Sequence, residues 1–486
     1  MAQMTKQYLA MVLAATVMLV AAAQTKAQDA EESEAAKLNI PGKFLLRGQR
    51  TTHPDAQWFP DAGLGLFMHW GVNSAHPETG SSWSTRIYDE KPAWLDEPYR
   101  RPEEFWELAD KWNPEKYEPD KWMKAAKAAG FNYAVLTAKP HLGYAIWPSQ
   151  HGEMNTRVHM NGRDLITPYL EACRNNDMKA GFYFSGSDWY YDREYINWYF
   201  GQSEESRERK GRIIFNYKHE RVDKLPERPE GWSEKRTKFL RGQISELLRD
   251  FGKIDIWWWD SGAPFSTEEI RELQPGILVN NRGGRYGDYV TPETFGQFRY
   301  EYIKNARENG WWIELCELWS QGGWFYQNDI EGEKLKNTGW VLYSLARCRC
   351  WDSNLLLNVA PRPDGQMPQE FYDKCAEMAE WMKHSGKSVY GITGGGPYPE
   401  KSNVPITIKG DVINDTWYLH PDYRRQTWDE PIVVKDVEKP ATVKLLRTGE
   451  SLDYSYDDRT LTILIPKSKR TDLTDVVAVK FSWQMF

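Results

Sequence analysis

The sequence has few cysteines and lacks the common metal-binding and phosphate-binding patterns. Its 486 residues include five cysteines, an odd number at sparse spacing, and no Cys-x-x-Cys pair is present. No group of histidines completes a zinc pattern. Neither a Gly-x-Gly-x-x-Gly loop nor a Gly-x-x-x-x-Gly-Lys-Ser/Thr loop occurs, so a nucleotide-binding open sheet has no support. We therefore predict no metal and no cofactor.

An excess of basic residues is also absent. The chain carries 62 Lys and Arg against 69 Asp and Glu, which gives a formal net charge of −7. Because binding to phosphate backbones requires a basic face, this balance argues against a nucleic-acid partner.

Long apolar runs are absent except near the N-terminus. Lys6 precedes an apolar run at residues 9–23, and small residues follow with a possible cleavage point after Ala23 or Ala27. This order is typical of a signal peptide, and the run is short for a membrane-spanning helix. We expect residues 1–27 to be a signal peptide of an exported protein, periplasmic or secreted, without a membrane anchor.

Tryptophan, in contrast, is abundant. The chain contains 24 Trp, and aromatic residues make up 14% of it, which excludes disorder for most of its length. Tryptophans can fill a large core or stack against the flat face of a sugar. Composition alone does not separate these two interpretations.

Two different sequence patterns follow the lead-in segment at residues 28–54. Over residues 55–395, short apolar runs alternate with amphipathic helical stretches, a pattern that predicts βαβ units and a TIM-like (β/α)8 barrel. Over residues 396–486, short strand-like runs recur between turn residues, which predicts a C-terminal antiparallel β-sandwich.

Polar residues end several of the apolar runs in the predicted barrel. Active residues of such barrels lie at the C-terminal ends of the strands. The residues at these positions are His69, Lys139, His141, Ser185, Asp188, Asp260, Asn281, Arg282, Glu314 and Asn358. Asp260 and Glu314 are carboxylates from separate strands, and a pair of carboxylates is what glycoside hydrolysis requires.

Several blocks of this region resemble the α-L-fucosidases of glycoside hydrolase family 29. The blocks are Gly-Leu-Phe-Met-His-Trp-Gly at 65–71, Lys-Pro-His-Leu-Gly-Tyr-Ala-Ile-Trp-Pro-Ser at 139–149, Ile-Asp-Ile-Trp-Trp-Trp-Asp at 254–260, Glu-Leu-Cys at 314–316 and Asn-Leu-Leu-Leu-Asn-Val-Ala-Pro-Arg-Pro-Asp-Gly at 354–365. They occur in the family's order, and the resemblance spans about residues 55–395. It implies an exo-acting enzyme that releases terminal α-L-fucose from glycans.

The resemblance also implies a retaining double displacement. Asp260 would be the nucleophile and Glu314 the acid/base, with a raised pKa and a separation of about 5–5.5 Å between the carboxyl groups. Glu293 and Glu317 remain alternatives for the acid/base.

Six further residues are predicted to bind the substrate. The family's motifs imply that His69 and His141 hydrogen-bond ring hydroxyls of the sugar. The other candidates are Trp83, Tyr183, Trp258 and Arg282. Packing in the barrel is the alternative for Tyr183 and Trp258, and pairing with a structural acid is the alternative for Arg282.

Two departures from the family pattern affect the expected sugar. Pro140 replaces the first histidine of a His-His pair, and Ser82 stands where the family often has Glu before Trp. Both lie where sugar hydroxyls would be recognised. An α-L-galactosidase, or an inactive carbohydrate-binding relative, is therefore the alternative function.

Overall fold

A computed structural model describes most of the chain. The described residues are 50–76, 78–88, 99–200, 211, 213–262, 264–282, 287–320, 323–327, 335–410, 415–426 and 429–481. The predicted signal peptide at 1–27 and the lead-in up to residue 49 lie outside them. In the part of the chain that the structure describes, no helix is long and apolar enough to cross a membrane.

Eight parallel strands form the predicted barrel. They are β1 Leu64–Met68, β2 Phe131–Lys139, β3 Lys179–Ser185, β4 Ile256–Asp260, β5 Leu278–Val279, β6 Tyr289–Val290, β7 Trp312–Leu318 and β8 Ser353–Asn358. Their order is β5-β4-β3-β2-β1-β8-β7-β6. A parallel bridge between Asn280 and Tyr289 joins the two edge strands and closes the sheet. The TIM-like barrel is confirmed.

Helices cover the outside of the barrel. They are α1 Pro102–Trp106, α2 Pro119–Ala128, α3 Thr156–His159, α4 Ile166–Asn175, α5 Trp232–Asp250, α6 Thr267–Leu273, α7 Thr294–Gln297, α8 Tyr300–Glu308, α9 Thr338–Cys350 and α10 Gln369–Ser385. Helix α2 shows why they form. Pro119 occupies its first turn, and Trp122, Met123 and Ala126 bury one face at helical spacing. Gly130, at φ +100°, follows its end.

The barrel interior is packed with large side chains. Gly65 in β1 makes room for one of them, because a Cβ at this position would lie 2.2 Å from the Tyr133 ring. Tyr133 therefore crosses the interior from β2. Phe59, from the segment before β1, packs against Tyr133 and Tyr289 at the N-terminal end of the barrel. The open end is consequently the C-terminal one.

Two antiparallel sheets follow the barrel. Their strands are β9 Gly394–Gly395, β10 Ile406–Lys409, β11 Thr416–Leu419, β12 Ile432–Val434, β13 Pro440–Leu445, β14 Tyr454–Asp457, β15 Thr460–Ile463 and β16 Val477–Phe481. The orders are β13-β16-β11-β10-β9 and β12-β15-β14. Apolar residues from both sheets, such as Val443 and Leu461, share one core. The predicted β-sandwich is confirmed.

Candidate active site

Asp260 ends strand β4 at the open end of the barrel. Side chains alternate along a strand, so Trp257 and Trp259 pack in the helix layer while Trp258 packs in the interior. Asp260 points to the same side as Trp258 but lies two residues farther along, about 7 Å higher in the barrel. Of its side chain, 24% is exposed. Asp260 is therefore accessible to a ligand at the open end of the barrel.

Three neighbours hold the Asp260 carboxylate. The Tyr183 hydroxyl donates to Oδ2 at 2.6 Å, and Nη1 of Arg282 donates to Oδ1 at 3.4 Å. Nε2 of His141 lies 3.4 Å from Oδ2. Burial works to raise the pKa of Asp260, but His141, Arg282, the Tyr183 hydrogen bond and His69 together lower it. The carboxylate is consequently ionised when a substrate arrives.

His69 follows strand β1 and faces the same site. Its Nδ1 lies 2.8 Å from Oδ1 of Asn358, whose amide nitrogen donates to the carbonyl oxygen of Trp324. This arrangement places the proton of His69 on Nδ1 and leaves Nε2 as an acceptor. Burial lowers the pKa of His69 to about 4, so the ring is neutral near pH 7. A neutral imidazole acceptor suits a sugar hydroxyl.

His141 lies on the other side of Asp260. Its Nδ1 is 2.6 Å from the Ser185 hydroxyl, and its ring stacks on Trp189 with centroids 5.1 Å apart. Trp83 meets the same ring edge-on at 5.6 Å and is partly exposed. Burial lowers the pKa of His141, with Asp260 opposing. The structure thus brings together the predicted residues His69, Trp83 and His141 around the nucleophile candidate.

A single guanidinium joins Asp260 to a second carboxylate. Besides its bond to Asp260, Arg282 donates from Nη2 to Oε2 of Glu293 at 2.6 Å and from Nε to the Thr291 hydroxyl at 3.0 Å. Glu293 forms a parallel bridge with Cys316, so it extends the barrel ladder just beyond β6. Its side chain is 35% exposed. Asp260 and Glu293 are therefore two accessible carboxylates at one end of the barrel.

The backbone after each of these carboxylates is strained. Ser261 has φ +57° and Thr294 has φ +58°. A left-handed conformation is unusual for any residue with a Cβ and especially for a β-branched one, and it costs about 1–3 kcal/mol. Such strain concentrates at sites where a side chain must be aimed.

Glu314 lies elsewhere, in the interior of the barrel. It is fully buried, with Oε1 accepting from Nε1 of Trp258 at 3.0 Å and Oε2 accepting from the Tyr133 hydroxyl at 2.6 Å. Burial raises the pKa of Glu314 to about 7, as expected for a general acid. However, both oxygens are occupied at the depth of Trp258, one layer below Asp260. The assignment of Glu314 as the acid/base is not supported by this arrangement.

The other alternative, Glu317, is held by structural contacts. Its carboxylate accepts from the backbone N–H groups of Phe295 and Leu318 and from Nζ of Lys336 at 3.2 Å. It is 5% exposed. Of the three glutamates considered from the sequence, Glu293 alone is both accessible and linked to Asp260 through Arg282.

Two predicted sugar-binding aromatic residues are buried. Trp258 is 1% exposed and Tyr183 is 3% exposed, so neither presents a ring face to a sugar. Their rings stack on each other with centroids 5.5 Å apart beneath Asp260. The packing alternative is the better interpretation for Trp258, whereas Tyr183 contributes its hydroxyl to the site.

Trp324 is a neighbour of the site that the sequence placed only in general terms, among the tryptophans near the catalytic motifs, and Tyr133 is a residue of the barrel interior that sequence patterns left without a role. Trp324 is partly exposed, and its ring centroid lies 5.1 Å from that of His69. It lies in a long connection after β7, which has no local pattern. Tyr133 lies at the start of β2, where an aromatic residue is ordinary. Among the described residues, no group of three or more His, Cys, Asp or Glu is arranged to hold a metal ion.

The chain is similar to known α-L-fucosidases. The α-L-fucosidase family model matches residues 47–387. Tissue α-L-fucosidase of Bos taurus is 24% identical over 428 residues, which is 83% of this chain and 82% of that protein. Plasma α-L-fucosidase of Rattus norvegicus is 26% identical over 353 residues, covering 69% of this chain and 71% of that protein.

Solved structures share the fold. α-L-Fucosidase isoenzyme 1 from Paenibacillus thiaminolyticus superposes with a TM-score of 0.66 at 26% identity, over 88% of this chain and 98% of that one. A family 29 α-L-fucosidase from Bacteroides thetaiotaomicron, trapped as a covalent intermediate, gives a TM-score of 0.67 at 23% identity over 89% and 97% of the two chains. With the family model matching more than two thirds of its length, the chain belongs to the α-L-fucosidase family of glycoside hydrolases.

Proposed function

We propose that this protein releases terminal α-L-fucose from glycans by a retaining double displacement, with Asp260 as nucleophile and Glu293 as acid/base. The observation that carries the proposal is the Arg282 guanidinium, which donates to both carboxylates at the open end of the barrel. Retaining glycosidases need two carboxyl groups flanking the glycosidic bond.

The first step uses the ionised Asp260. Its carboxylate attacks the anomeric carbon while Glu293 gives a proton to the glycosidic oxygen, and the aglycone leaves as an alcohol. The product is a fucosyl ester of Asp260. Tyr183 and Arg282 hold the carboxylate in place before attack.

The second step reverses these roles. Glu293, now ionised, takes a proton from water, and the water oxygen displaces the Asp260 carboxylate from the anomeric carbon. Two inversions give net retention. The exposed fraction of Glu293, 35%, leaves room for both the leaving alcohol and the water.

A matched pair of variants tests the two assignments of the acid/base. General acid–base catalysis contributes about 10²–10⁴-fold, so Glu293→Gln should lose about that much kcat on a fucoside with a poor leaving group. A dinitrophenyl fucoside, which needs no protonation, should restore the first step, and added azide should restore turnover. Glu314→Gln should stay within about tenfold of the parent.

Other outcomes overturn parts of the proposal. If Glu314→Gln shows the leaving-group dependence and azide rescue instead, Glu314 is the acid/base. If the parent hydrolyses an aryl α-L-galactoside or xyloside but no aryl α-L-fucoside, the substrate assignment fails. If it hydrolyses none of the three, the chain is an inactive relative.

The nucleophile has its own test. Incubation with 2-fluoro-fucosyl fluoride should add one fluorofucosyl group to the peptide that contains Asp260, as detected by mass spectrometry. Asp260→Ala should abolish both labelling and turnover. Asp288→Asn is a matched control, because Asp288 is a fully buried carboxylate that binds backbone N–H groups of Thr51 and Val279 at the far end of the barrel.

We also propose that the protein is exported. The support is the order of Lys6, the apolar run at residues 9–23 and the small residues after it. Fractionation of cells that express the full chain should place the processed protein outside the cytoplasm. Retention of the unprocessed chain in the cytoplasm would refute export.

A further inference from the structure

The interior of the barrel contains a carboxyl group that the proposed reaction does not use. Glu314 is fully buried among Tyr133, Trp258, Tyr289 and Cys316. A buried carboxyl group costs free energy unless it is hydrogen-bonded. An apolar side chain would fill the same layer of the barrel without that cost. The contacts of Glu314 therefore call for an explanation beyond packing.

One side chain, that of Trp258, connects Glu314 with the active site above it. Oε1 of Glu314 accepts from Nε1 of Trp258. The guanidinium carbon of Arg282 lies 4.8 Å from the centre of the Trp258 ring, and the Tyr183 ring stacks on it at 5.5 Å. The Trp258 ring thus lies beneath two of the three groups that hold Asp260, namely Arg282 and Tyr183.

The positions of Tyr183 and Arg282 depend on the orientation of the Trp258 ring. Tyr183 donates to Asp260, and Arg282 donates to Asp260 and Glu293. Rotation of the Trp258 ring would move either donor relative to its carboxylate. The hydrogen bond from Nε1 to Glu314 opposes such rotation, because Nε1 would lose its partner in a buried layer.

We infer that Glu314 is a positioning residue for the fucosidase reaction: its carboxyl group fixes the Trp258 ring, and through that ring it sets the placement of Arg282 and Tyr183 against Asp260. This inference rests on the proposed function of Asp260 and Glu293. It assigns to Glu314 a role that needs no contact with substrate.

The electrostatic surroundings make this role depend on pH. The titratable groups that face Glu314 are Tyr133 from β2, Tyr289 from β6, Cys316 from β7 and Arg282 from above. Burial raises the pKa of Glu314 to about 7, while Tyr133, Trp258 and Arg282 oppose the rise. The carboxyl group therefore gains its charge near neutrality, beneath the cation that bridges the two catalytic carboxylates.

Two variants of Glu314 separate its hydrogen bonds from its charge. Glu314→Gln keeps both contacts, since the amide oxygen can accept from Trp258 and the amide nitrogen can donate to the Tyr133 oxygen. Glu314→Leu removes both acceptors. We expect Glu314→Leu to lower kcat/KM about 10- to 100-fold with kcat affected more than KM, because a small misplacement of reacting groups has effects of this size.

The pH profile of kcat/KM distinguishes positioning from mere destabilisation. In Glu314→Leu, Tyr183 and Arg282 hold the Asp260 carboxylate less well, so the acidic limb should move to higher pH. In Glu314→Gln this limb should move less, and any inflection near pH 7 should disappear. Destabilisation alone would lower the amount of folded enzyme without moving the limb. Asp288→Asn, which changes another buried carboxylate, at the far end of the barrel, is the control and should leave the profile unchanged.

A second variant keeps the inference testable if Glu314→Leu does not fold. Trp258→Phe removes the indole N–H donor but keeps an aromatic ring beneath Tyr183 and Arg282. It should reproduce the shift of the acidic limb of kcat/KM to higher pH that is expected for Glu314→Leu. Combined with Glu314→Ala, which also removes the acceptor of this hydrogen bond, it should show a non-additive effect, because both changes remove the same interaction. Additive effects, or an unmoved limb in Trp258→Phe, would overturn the inference. These outcomes are read against an active parent, so they remain distinct from failure of the proposed function.

Discussion

Removing one hydroxyl group should expose how the site keeps its nucleophile ionised. Tyr183→Phe deletes the 2.6 Å hydrogen bond to Asp260 but keeps the ring that stacks on Trp258. A hydrogen bond to a charged group contributes about 1.5–3 kcal/mol. At about 1.4 kcal/mol per factor of ten, this corresponds to roughly a 10- to 100-fold weaker preference for the ionised carboxylate.

The loss of activity in Tyr183→Phe should be confined to low pH. The pKa of Asp260 is lowered in the folded enzyme by His141, Arg282 and Tyr183 against the effect of burial, so losing Tyr183 raises it. The acidic limb of the kcat/KM profile should therefore move to higher pH, with a loss of about 10- to 100-fold on that limb and a much smaller change near neutrality. Initial rates on an aryl α-L-fucoside across the pH range measure this directly.

A second tyrosine serves as the control. The Tyr169 hydroxyl is also buried, between helix α4 and strands β2 and β3, but it donates to the carbonyl oxygens of Ala134 and Gly181 rather than to Asp260. Tyr169→Phe should lower the melting temperature and leave the acidic limb in place. If Tyr183→Phe leaves the limb unmoved, or moves it to lower pH, the hydroxyl does not stabilise the carboxylate and the reasoning fails.

Three further predictions concern stability. Gly65→Ala should lower the free energy of unfolding by about 1–3 kcal/mol, as measured with denaturant, because the new Cβ would collide with the Tyr133 ring. Gly394→Ala is the control and should change it little, because a Cβ at Gly394 would have nothing within 4 Å. Equal losses in the two variants would refute the packing argument. Arg349→Met should cost about 3 kcal/mol, because the 2% exposed guanidinium donates to buried backbone carbonyls; a neutral result would contradict this. The folded pKa of Glu314 is raised from 4.5 to about 7, so the parent loses about 3 kcal/mol of stability as pH rises across that window. Glu314→Gln should lack this loss in melting curves, and a parallel pH dependence would refute the assignment.

Local patterns were sufficient to predict the fold and to place the proposed nucleophile, Asp260, at the end of a strand. The run of three tryptophans before Asp260 is apolar and short, so it indicated a buried strand whose last residue faces the open end. That position depends on one strand and its end, which are both local properties. The barrel and the sandwich likewise follow from the alternation of elements along the chain.

The candidate for the acid/base could not be chosen in the same way. Glu314 was expected near the end of a strand, but β7 continues to Leu318, so Glu314 lies four residues before the end and inside the barrel. Glu293 lies beyond a strand of two residues, β6, which offers almost no periodic signal. Strand ends of this kind are set by pairing with neighbouring strands, such as the bridge between Glu293 and Cys316.

The tryptophans also separate what the sequence could predict from what only the structure decided. Their abundance predicted a large core, a sugar site or both, and sequence placed many of them near the catalytic motifs. Which of them face a ligand was decided only by the closed barrel, where Trp258 is buried and Trp83 and Trp324 are partly exposed. The sequence by itself determined the family, the order of the elements and the position of Asp260 at the end of a strand, because these depend on residues close together in the chain. The tertiary structure decided the depth of each carboxyl group in the barrel, because depth depends on strand register, and register is a property of strands far apart in sequence.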